Sequence, residues 1–125
     1  MTAVVAYRYG PPDVLRIEQV PVPVPAAGEV LVRAMAIGLN VTDAQLRAGG
    51  ATAWFDDGPW IWGWDVAGEA VGVGAGSALT VGDRVLAMPR FPGLASAYAQ
   101  YVTAPEAEVA KVPTASTRRW RPQRA

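Results

Sequence analysis

Two kinds of side chain in this sequence could support chemistry without a metal: one carboxamide and a cluster of tryptophans. Asn40 stands just before a short helical pattern, where its amide offers both a hydrogen-bond donor and an acceptor. Trp60, Trp62 and Trp64 occupy alternate positions, so on a strand all three would face one side. With Trp54 and Phe55 nearby they could form an aromatic slot for a flat conjugated ligand. They could equally pack the end of a barrel or cover an interface with another domain. Asn40 has two interpretations as well, as a polar group of a binding site or as a turn or cap residue.

A second candidate is the glycine-rich run Gly72–Gly76, which invites comparison with a phosphate-binding loop. A dinucleotide fingerprint needs G-x-G-x-x-G between a strand and a helix. Here the third glycine comes one residue too early, and the chain leads on to another strand at Arg84. The run therefore predicts tight turns between strands.

Histidine and cysteine are both absent from the 125 residues. Their absence removes disulfides, thiolate nucleophiles, imidazole bases and every usual zinc ligand except carboxylates. We therefore predict no metal site. Among the carboxylates, Asp43 is expected to serve the start of the helix, whereas Asp65 and Glu69 are expected to bind backbone or Arg84.

Composition describes a globular chain, with 51% hydrophobic and 18% charged residues. No apolar run reaches the roughly 18 residues of a membrane span, and the N-terminus lacks a signal-peptide pattern, so a cytoplasmic location is predicted. All eleven acidic residues lie before residue 118, whereas Arg118, Arg119, Arg121 and Arg124 crowd the end of the chain. The body therefore offers no positive field for nucleic acid, and we predict neither a nucleic-acid nor a membrane partner.

The pattern of apolar and turn residues predicts a mainly β fold. Short strand patterns separated by turn residues every 8–12 positions are typical of a sandwich or barrel. The predicted strands cover residues 3–7, 14–20, 29–38, 66–73, 84–88, 96–102 and 108–112, and one short helix follows Thr42. The strand over 29–38 is apolar on both faces apart from Arg33, so a central position is expected for it.

Four collinear motifs resemble the N-terminal domain of medium-chain dehydrogenases/reductases, in the branch of zinc-independent quinone oxidoreductases. They are Gly38-Leu39-Asn40-Val41-Thr42-Asp43, Gly63-Trp64-Asp65-Val66-Ala67-Gly68, Val81-Gly82-Asp83-Arg84-Val85 and Ala97-Tyr98-Ala99-Gln100-Tyr101-Val102. The resemblance covers about residues 3–113. It implies a GroES-like, partly open β-barrel with one or two short helices.

The resemblance also assigns candidate site residues. In zinc enzymes of this superfamily a cysteine falls where Asn40 stands and a histidine where Trp64 stands, so the resemblance implies a zinc-independent protein. The matching asparagine in relatives lies beside the nicotinamide end of the cofactor. Gln45 falls where some quinone oxidoreductases carry a tyrosine near the substrate. No residue is assigned as certainly catalytic: Asn40 is the candidate, and Asn40, Gln45, Trp62 and Trp64 are predicted to line the substrate and cofactor edge.

The family's Rossmann domain, which implies NADPH as cofactor, has no counterpart in this sequence. Only twelve residues follow Pro113, whereas one βαβ unit needs about 30. We therefore predict a GroES-like domain over 1–113 and a disordered Arg-rich tail over 114–125, and we expect a truncated or frame-shifted gene product.

Two functions remain open at this point. The chain is either the substrate-side domain of an NAD(P)H-dependent quinone or enone oxidoreductase, inactive without a cofactor domain supplied from elsewhere, or a non-catalytic orphan barrel that acts as an interaction module or is a degenerate remnant. The second reading predicts exposed strand edges, exposed aromatic surface and self-association.

Overall fold

A computed structural model describes residues 1–113, so the predicted tail over 114–125 lies outside the described residues. Within this range the chain forms eight strands and one α-helix. They are β1 (Thr2–Ala6), β2 (Leu15–Gln19), β3 (Glu29–Ile37), α1 (Val41–Arg47), β4 (Trp60–Ile61), β5 (Val66–Val73), β6 (Arg84–Ala87), β7 (Tyr101–Pro105) and β8 (Val109–Lys111). The strands pair in two antiparallel sheets, ordered β2-β1-β4 and β7-β3-β5-β6-β8. This is the mainly β, partly open barrel that the sequence predicts.

Strand β3 lies inside the larger sheet, between β7 and β5, as its apolar character predicts. Val30 and Val32 are fully buried in the first hydrophobic core, whereas Met35 and Ile37 are exposed. The expectation that both faces are covered is therefore wrong for the second half of the strand. Pairing with β7 ends at Arg33 and Tyr101, so within residues 1–113 this half of β3 is paired only with β5 on its other side.

Strand β5 has the two unlike faces that its sequence predicts. Its small residues Gly68 and Ala70 are buried. At Gly68 the backbone of β3 comes so close that an added Cβ would overlap the carbonyl oxygen of Arg33. On the other face Glu69 pairs with Arg33 at 2.9 Å. The expectation that Glu69 binds backbone or Arg84 is thus wrong: Arg84 stands opposite Glu69 on β6, but the carboxylate binds Arg33 on β3.

The three alternate tryptophans do not all lie on one strand. Only Trp60 and Ile61 pair with β1, and the backbone leaves the extended form at Gly63, where φ is +90°. All three tryptophans are nevertheless buried, in a second core that lies between the smaller sheet and α1. Other buried members of this core are Ala6, Val14, Leu46 and Ala95.

The predicted strand over 96–102 begins later, at Tyr101. Before that point the chain crosses from one sheet to the other: Val4 N–H donates to Tyr98 O at 2.9 Å, and Ala34 N–H donates to Gln100 O at 2.8 Å. An isolated bridge joins Ala3 and Ala99. Residues 97–100 are therefore extended, as predicted, but they tie the two sheets together. The helix α1, at seven residues, is the longest in the described part of the chain and is too short to cross a membrane.

Candidate functional site

The candidate site is built around the start of α1. Asn40 has extended backbone dihedrals and directly precedes the helix, and its backbone N–H donates to Asp43 Oδ2 at 2.9 Å. The carboxylate thus satisfies an N–H group at the helix start, which no helical carbonyl can reach. Asp43 thus serves the start of the helix, as predicted. The helix begins at Val41 with Asn40 as its cap residue, and Asp43 lies in the first turn, where a carboxylate is favourable.

Asp43 is buried, with 4% of its surface exposed, and is held by a second hydrogen bond. The Tyr98 hydroxyl donates to Asp43 Oδ2 at 2.5 Å. Burial raises the pKa of Tyr98 above the ordinary value for tyrosine, and the hydrogen bond to the Asp43 carboxylate raises it further. Gly63 makes room for the tyrosine ring, because a Cβ at that position would overlap it. This contact joins α1 to the crossing segment between the sheets.

Asn40 also has a side-chain partner. Its Nδ2 donates to Asp65 Oδ2 at 2.8 Å. Asp65 was expected to bind backbone, and the structure shows that its carboxylate accepts the Asn40 amide instead. Gly38 allows this contact, because an added Cβ there would lie 2.6 Å from Asp65 Oδ2.

The first cavity at this site lies against the start of α1. It has a volume of about 260 Å³ and brings together Asn40, Asp43, Trp62 and Tyr98. Its remaining lining residues are Leu15, Leu39, Ala44 and Arg47. Trp62 forms part of the floor and is almost fully buried. Of the four predicted site residues, the structure therefore brings Asn40 and Trp62 together here.

A larger cavity of about 610 Å³ lies on another side of α1. Gln45 lines it, along with the exposed aromatic rings of Trp54 and Phe91. Its other lining residues are Thr42, Leu46, Ala48, Gly49, Gly50 and Ala51. Two aromatic faces and one carboxamide suit a flat, conjugated ligand that carries a carbonyl oxygen.

The alternate tryptophans themselves form core rather than an open slot. Trp60 stacks on Trp62 with ring centroids 5.4 Å apart. Trp64 is buried, donates from Nε1 to Gly93 O at 2.6 Å, and packs edge-on against Phe91 at 5.7 Å. Trp64 therefore supports a wall of the larger cavity from behind. All three rings therefore pack in the core, and Trp62 also lines the smaller cavity. Contact of Trp62 and Trp64 with a substrate stays a prediction.

Phe91, Asp43 and Tyr98 are the site residues that sequence reasoning did not select. Phe91 lies in an irregular proline-containing segment without periodicity, so no sequence pattern indicated where its ring would point. Tyr98 and Asp43 are 55 residues apart, and only the crossing of the two sheets brings them into contact.

Neither a metal centre nor a dinucleotide cradle is formed by residues 1–113. No three carboxylates come close enough to hold a metal ion within this range. The run Gly72–Gly76 turns between β5 and β6, with Gly76 at φ +76°, and no helix follows it. The turn prediction is confirmed, and the described residues do not fit the phosphates of a nicotinamide cofactor.

Comparison with known proteins gives consistent matches over this domain. Residues 26–114 match the family model of the alcohol dehydrogenase GroES-like domain. Human quinone oxidoreductase is 36% identical over 116 residues, which cover 90% of this chain and 34% of the human protein. The structure of Escherichia coli quinone oxidoreductase complexed with NADPH has a TM-score of 0.81 and 28% identity, and the match covers 92% of this chain and 34% of that one.

A mycobacterial protein, Rv1454c complexed with NADPH, is similar at 39% identity with a TM-score of 0.78. The match covers 91% of this chain and 33% of the mycobacterial chain. This chain thus spans about a third of the length of the relatives that it matches.

Proposed function

Since this chain belongs to the alcohol dehydrogenase GroES-like domain family of the medium-chain dehydrogenases/reductases, we propose that residues 1–113 form the substrate-side domain of an NAD(P)H-dependent, zinc-independent quinone or enone oxidoreductase. The predicted resemblance to that superfamily is confirmed by the family match and by relatives named quinone oxidoreductase. Two similar structures are complexed with NADPH, which supports NADPH as the reductant.

The observation that carries this proposal is the 610 Å³ cavity beside α1. Trp54 and Phe91 offer apolar faces to a flat ring, and Gln45 offers an amide N–H to a carbonyl oxygen. As a conjugated carbonyl is reduced, negative charge grows on its oxygen, and a neutral amide donor can stabilise that charge without a metal. Asn40 lines the separate, smaller cavity on the same helix, where it is the second such donor for an acceptor that extends from one cavity to the other.

The reductant must be held by a domain outside residues 1–113, because these residues form no phosphate cradle. When bound, the cofactor would supply a hydride; the part of this chain is to bind and orient the acceptor. We therefore expect no quinone reduction by residues 1–113 with NADPH alone. Zinc independence and a cytoplasmic location stay predictions.

The test is a titration of the ¹⁵N-labelled chain with tetramethyl-1,4-benzoquinone, followed through the indole N–H signals of the five tryptophans. We expect the Trp54 signal to move with the Gln45 side-chain amide. The Trp60 indole, which donates to Asp56 O at 2.9 Å inside the protein, should stay in place and serves as the internal control. The variant Trp54→Ala assigns the signal and should weaken binding. Shifts scattered over the surface, or none up to the solubility limit, would contradict the proposed pocket.

A second candidate is the non-catalytic interaction module, and one surface favours it. We define the apolar band as Ile17, Met35, Ile37, Leu86 and Met88, all exposed. Ile37 lines two adjoining shallow grooves, one with Ile17 and Met35 and the other with Leu86 and Met88, so the band is continuous. Continuous exposed apolar surface is typical of a site where another protein surface docks. Self-association through this band is therefore proposed for the isolated chain.

A further inference from the structure

Asn40 and Asp65 face each other across the ends of two paired strands. Gly38 follows β3, and Asp65 precedes β5, and the antiparallel register pairs Ile37 with Val66. Gly38 N–H then donates to Asp65 O at 3.1 Å, which fixes the backbone of Asp65 beside the segment that leads to Asn40. The side-chain bond of 2.8 Å from Asn40 Nδ2 to Asp65 Oδ2 is built on this frame.

We infer that Asp65 is a positioning residue that sets the orientation of the Asn40 amide. An ionised carboxylate can only accept hydrogen bonds, so it must face the NH₂ end of the amide and not its oxygen. Turning the amide over would bring two oxygens together, with no hydrogen between them. The charge on Asp65 therefore favours one of the two amide orientations, and it is the one in which the amide oxygen also accepts from the backbone N–H of Asp43 in the capping box.

Gly38 also contributes to the contact between Asp65 and Asn40, because it leaves space for the Asp65 side chain. Asp65 occupies the space that a side chain at position 38 would need, with an added Cβ 2.6 Å from Oδ2 and 2.7 Å from the Asp65 Cβ. Gly38 has no positive φ, so its role is to leave space and not to relieve backbone strain. Any larger residue there must push the carboxylate away from Asn40.

The Asn40 side-chain amide has two N–H groups, and only one of them is used by Asp65. Within residues 1–113 no acceptor takes the other. Asn40 is exposed at the rim of the smaller cavity, so the second N–H is available to an oxygen of a bound molecule. That this N–H assists reduction of an acceptor rests on the proposed function. The orientation of the Asn40 amide by Asp65 does not depend on that function.

The sequence offers a direct probe, because Asn40 is its single asparagine. Selective ¹⁵N labelling of asparagine side chains therefore gives one NH₂ pair, which reports on Asn40 alone. We expect slow hydrogen exchange for the proton that faces Asp65. In Asp65→Ala the exchange of this proton should accelerate by about tenfold, the size expected for loss of a hydrogen bond to a carboxylate. Asp57→Ala removes an exposed carboxylate elsewhere and should leave the pair unchanged.

Gly38→Ala tests the same contact without removing the carboxylate, and it should also accelerate exchange. In the Asp65→Ala background, Gly38→Ala should add nothing to the Asn40 signal, because its effect passes through Asp65. Backbone spectra establish that each variant is folded. The inference is overturned if Asp65→Ala leaves the Asn40 pair unchanged, or if the two effects simply add in the double variant.

Failure of the proposed function would look different. The readout is the kcat for quinone reduction, measured in a chimaera that joins residues 1–113 to the cofactor-bearing part of Escherichia coli quinone oxidoreductase. If Asp65→Ala changes the Asn40 signal but not this kcat, positioning stands and the role of Asn40 in reduction falls. If kcat falls while the Asn40 signal is unchanged, positioning falls and Asp65 acts by another route.

Discussion

At the scale of single residues, the contact between Tyr98 and Asp43 is central to the candidate site. It joins the first turn of α1 to the segment that crosses between the sheets, and Asp43 is buried. Replacing the tyrosine by phenylalanine would leave a buried carboxylate oxygen with one partner fewer. Such a loss costs about 1–3 kcal/mol when the group stays buried.

The prediction for Tyr98→Phe concerns pH. Burial, and then the hydrogen bond to Asp43, raises the pKa of Tyr98 in the folded state, so the folded state holds this proton more tightly than the unfolded one. The resulting stabilisation is complete below the unfolded tyrosine pKa of about 10 and is lost as the pH rises above it. In urea unfolding between about pH 9 and 11, the free energy of unfolding should fall more steeply for the native chain than for Tyr98→Phe.

The remaining tyrosines are present in both proteins, so their titration cancels in this comparison. Equal slopes for the native chain and the variant would contradict the assigned environment of Tyr98.

Asn40 could be selected from the sequence because of the motif in which it stands, although an asparagine before a helix is also a usual cap residue. Trp62 and Trp64 could be selected from the sequence as important. Whether they pack in the core or contact a ligand could not be predicted, because tryptophan is common in both roles. The partners Asp43, Asp65 and Tyr98 could not be paired in advance. Their contacts depend on the register of β3 with β5 and on the sheet crossing, which no local pattern reports.

At the scale of elements, the pairing of β3 with β5 holds the site in place. It sets Gly38 opposite Asp65 and carries a register irregularity between Ala34 and Ala36. Gly68 lies in this region, where its missing Cβ lets the Arg33 carbonyl approach. Close backbone approach is a recognised reason for glycine within a strand.

Gly68→Ala should therefore destabilise the domain, by about 3 kcal/mol, because the obstructing atom is backbone and cannot rotate away. Gly74→Ala is the matched control: its nearest atom, Gly28 N, lies 3.6 Å from the added Cβ, and its φ is not positive. The control should change stability by less than about 1 kcal/mol. Urea unfolding curves of both variants measure the difference, and similar midpoints would contradict the register of β3 and β5.

Most elements could be predicted because alternation and turn residues are local signals. The strands β1, β2, β3, β5, β6 and β8 and the helix α1 lie close to their expected positions. The departures have tertiary causes. The strand β4 stops before Gly63, which leaves space for the ring of Tyr98. Residues 97–100 form hydrogen bonds with both sheets, so β7 begins only at Tyr101.

At the scale of the whole molecule, the apolar band and the two cavities lie on a domain that spans about a third of the length of its relatives. Two grooves of the band meet at Ile37, beside the half of β3 that β7 leaves unpaired. An unpaired strand edge flanked by apolar side chains favours association with another surface.

We expect the isolated chain to self-associate in a concentration-dependent way, and Met35→Asp to shift it towards the monomer by placing a charge in the band. Val24→Asp is the control, since Val24 is an exposed apolar residue outside both grooves. Light scattering after size-exclusion chromatography measures the mass. A native chain that stays monomeric at all concentrations would contradict the proposal that the band is an association surface.

Residues 1–113 are proposed to act as the acceptor-binding part of a quinone oxidoreductase. The most direct measurement is quinone-dependent oxidation of NADPH by the chimaera that joins these residues to the cofactor-bearing part of Escherichia coli quinone oxidoreductase. We predict turnover by the chimaera, none by either part alone, and a loss of about 10²-fold in kcat for Asn40→Ala, as for removal of one oxyanion donor. A folded chimaera that binds NADPH but reduces no quinone would contradict the claim.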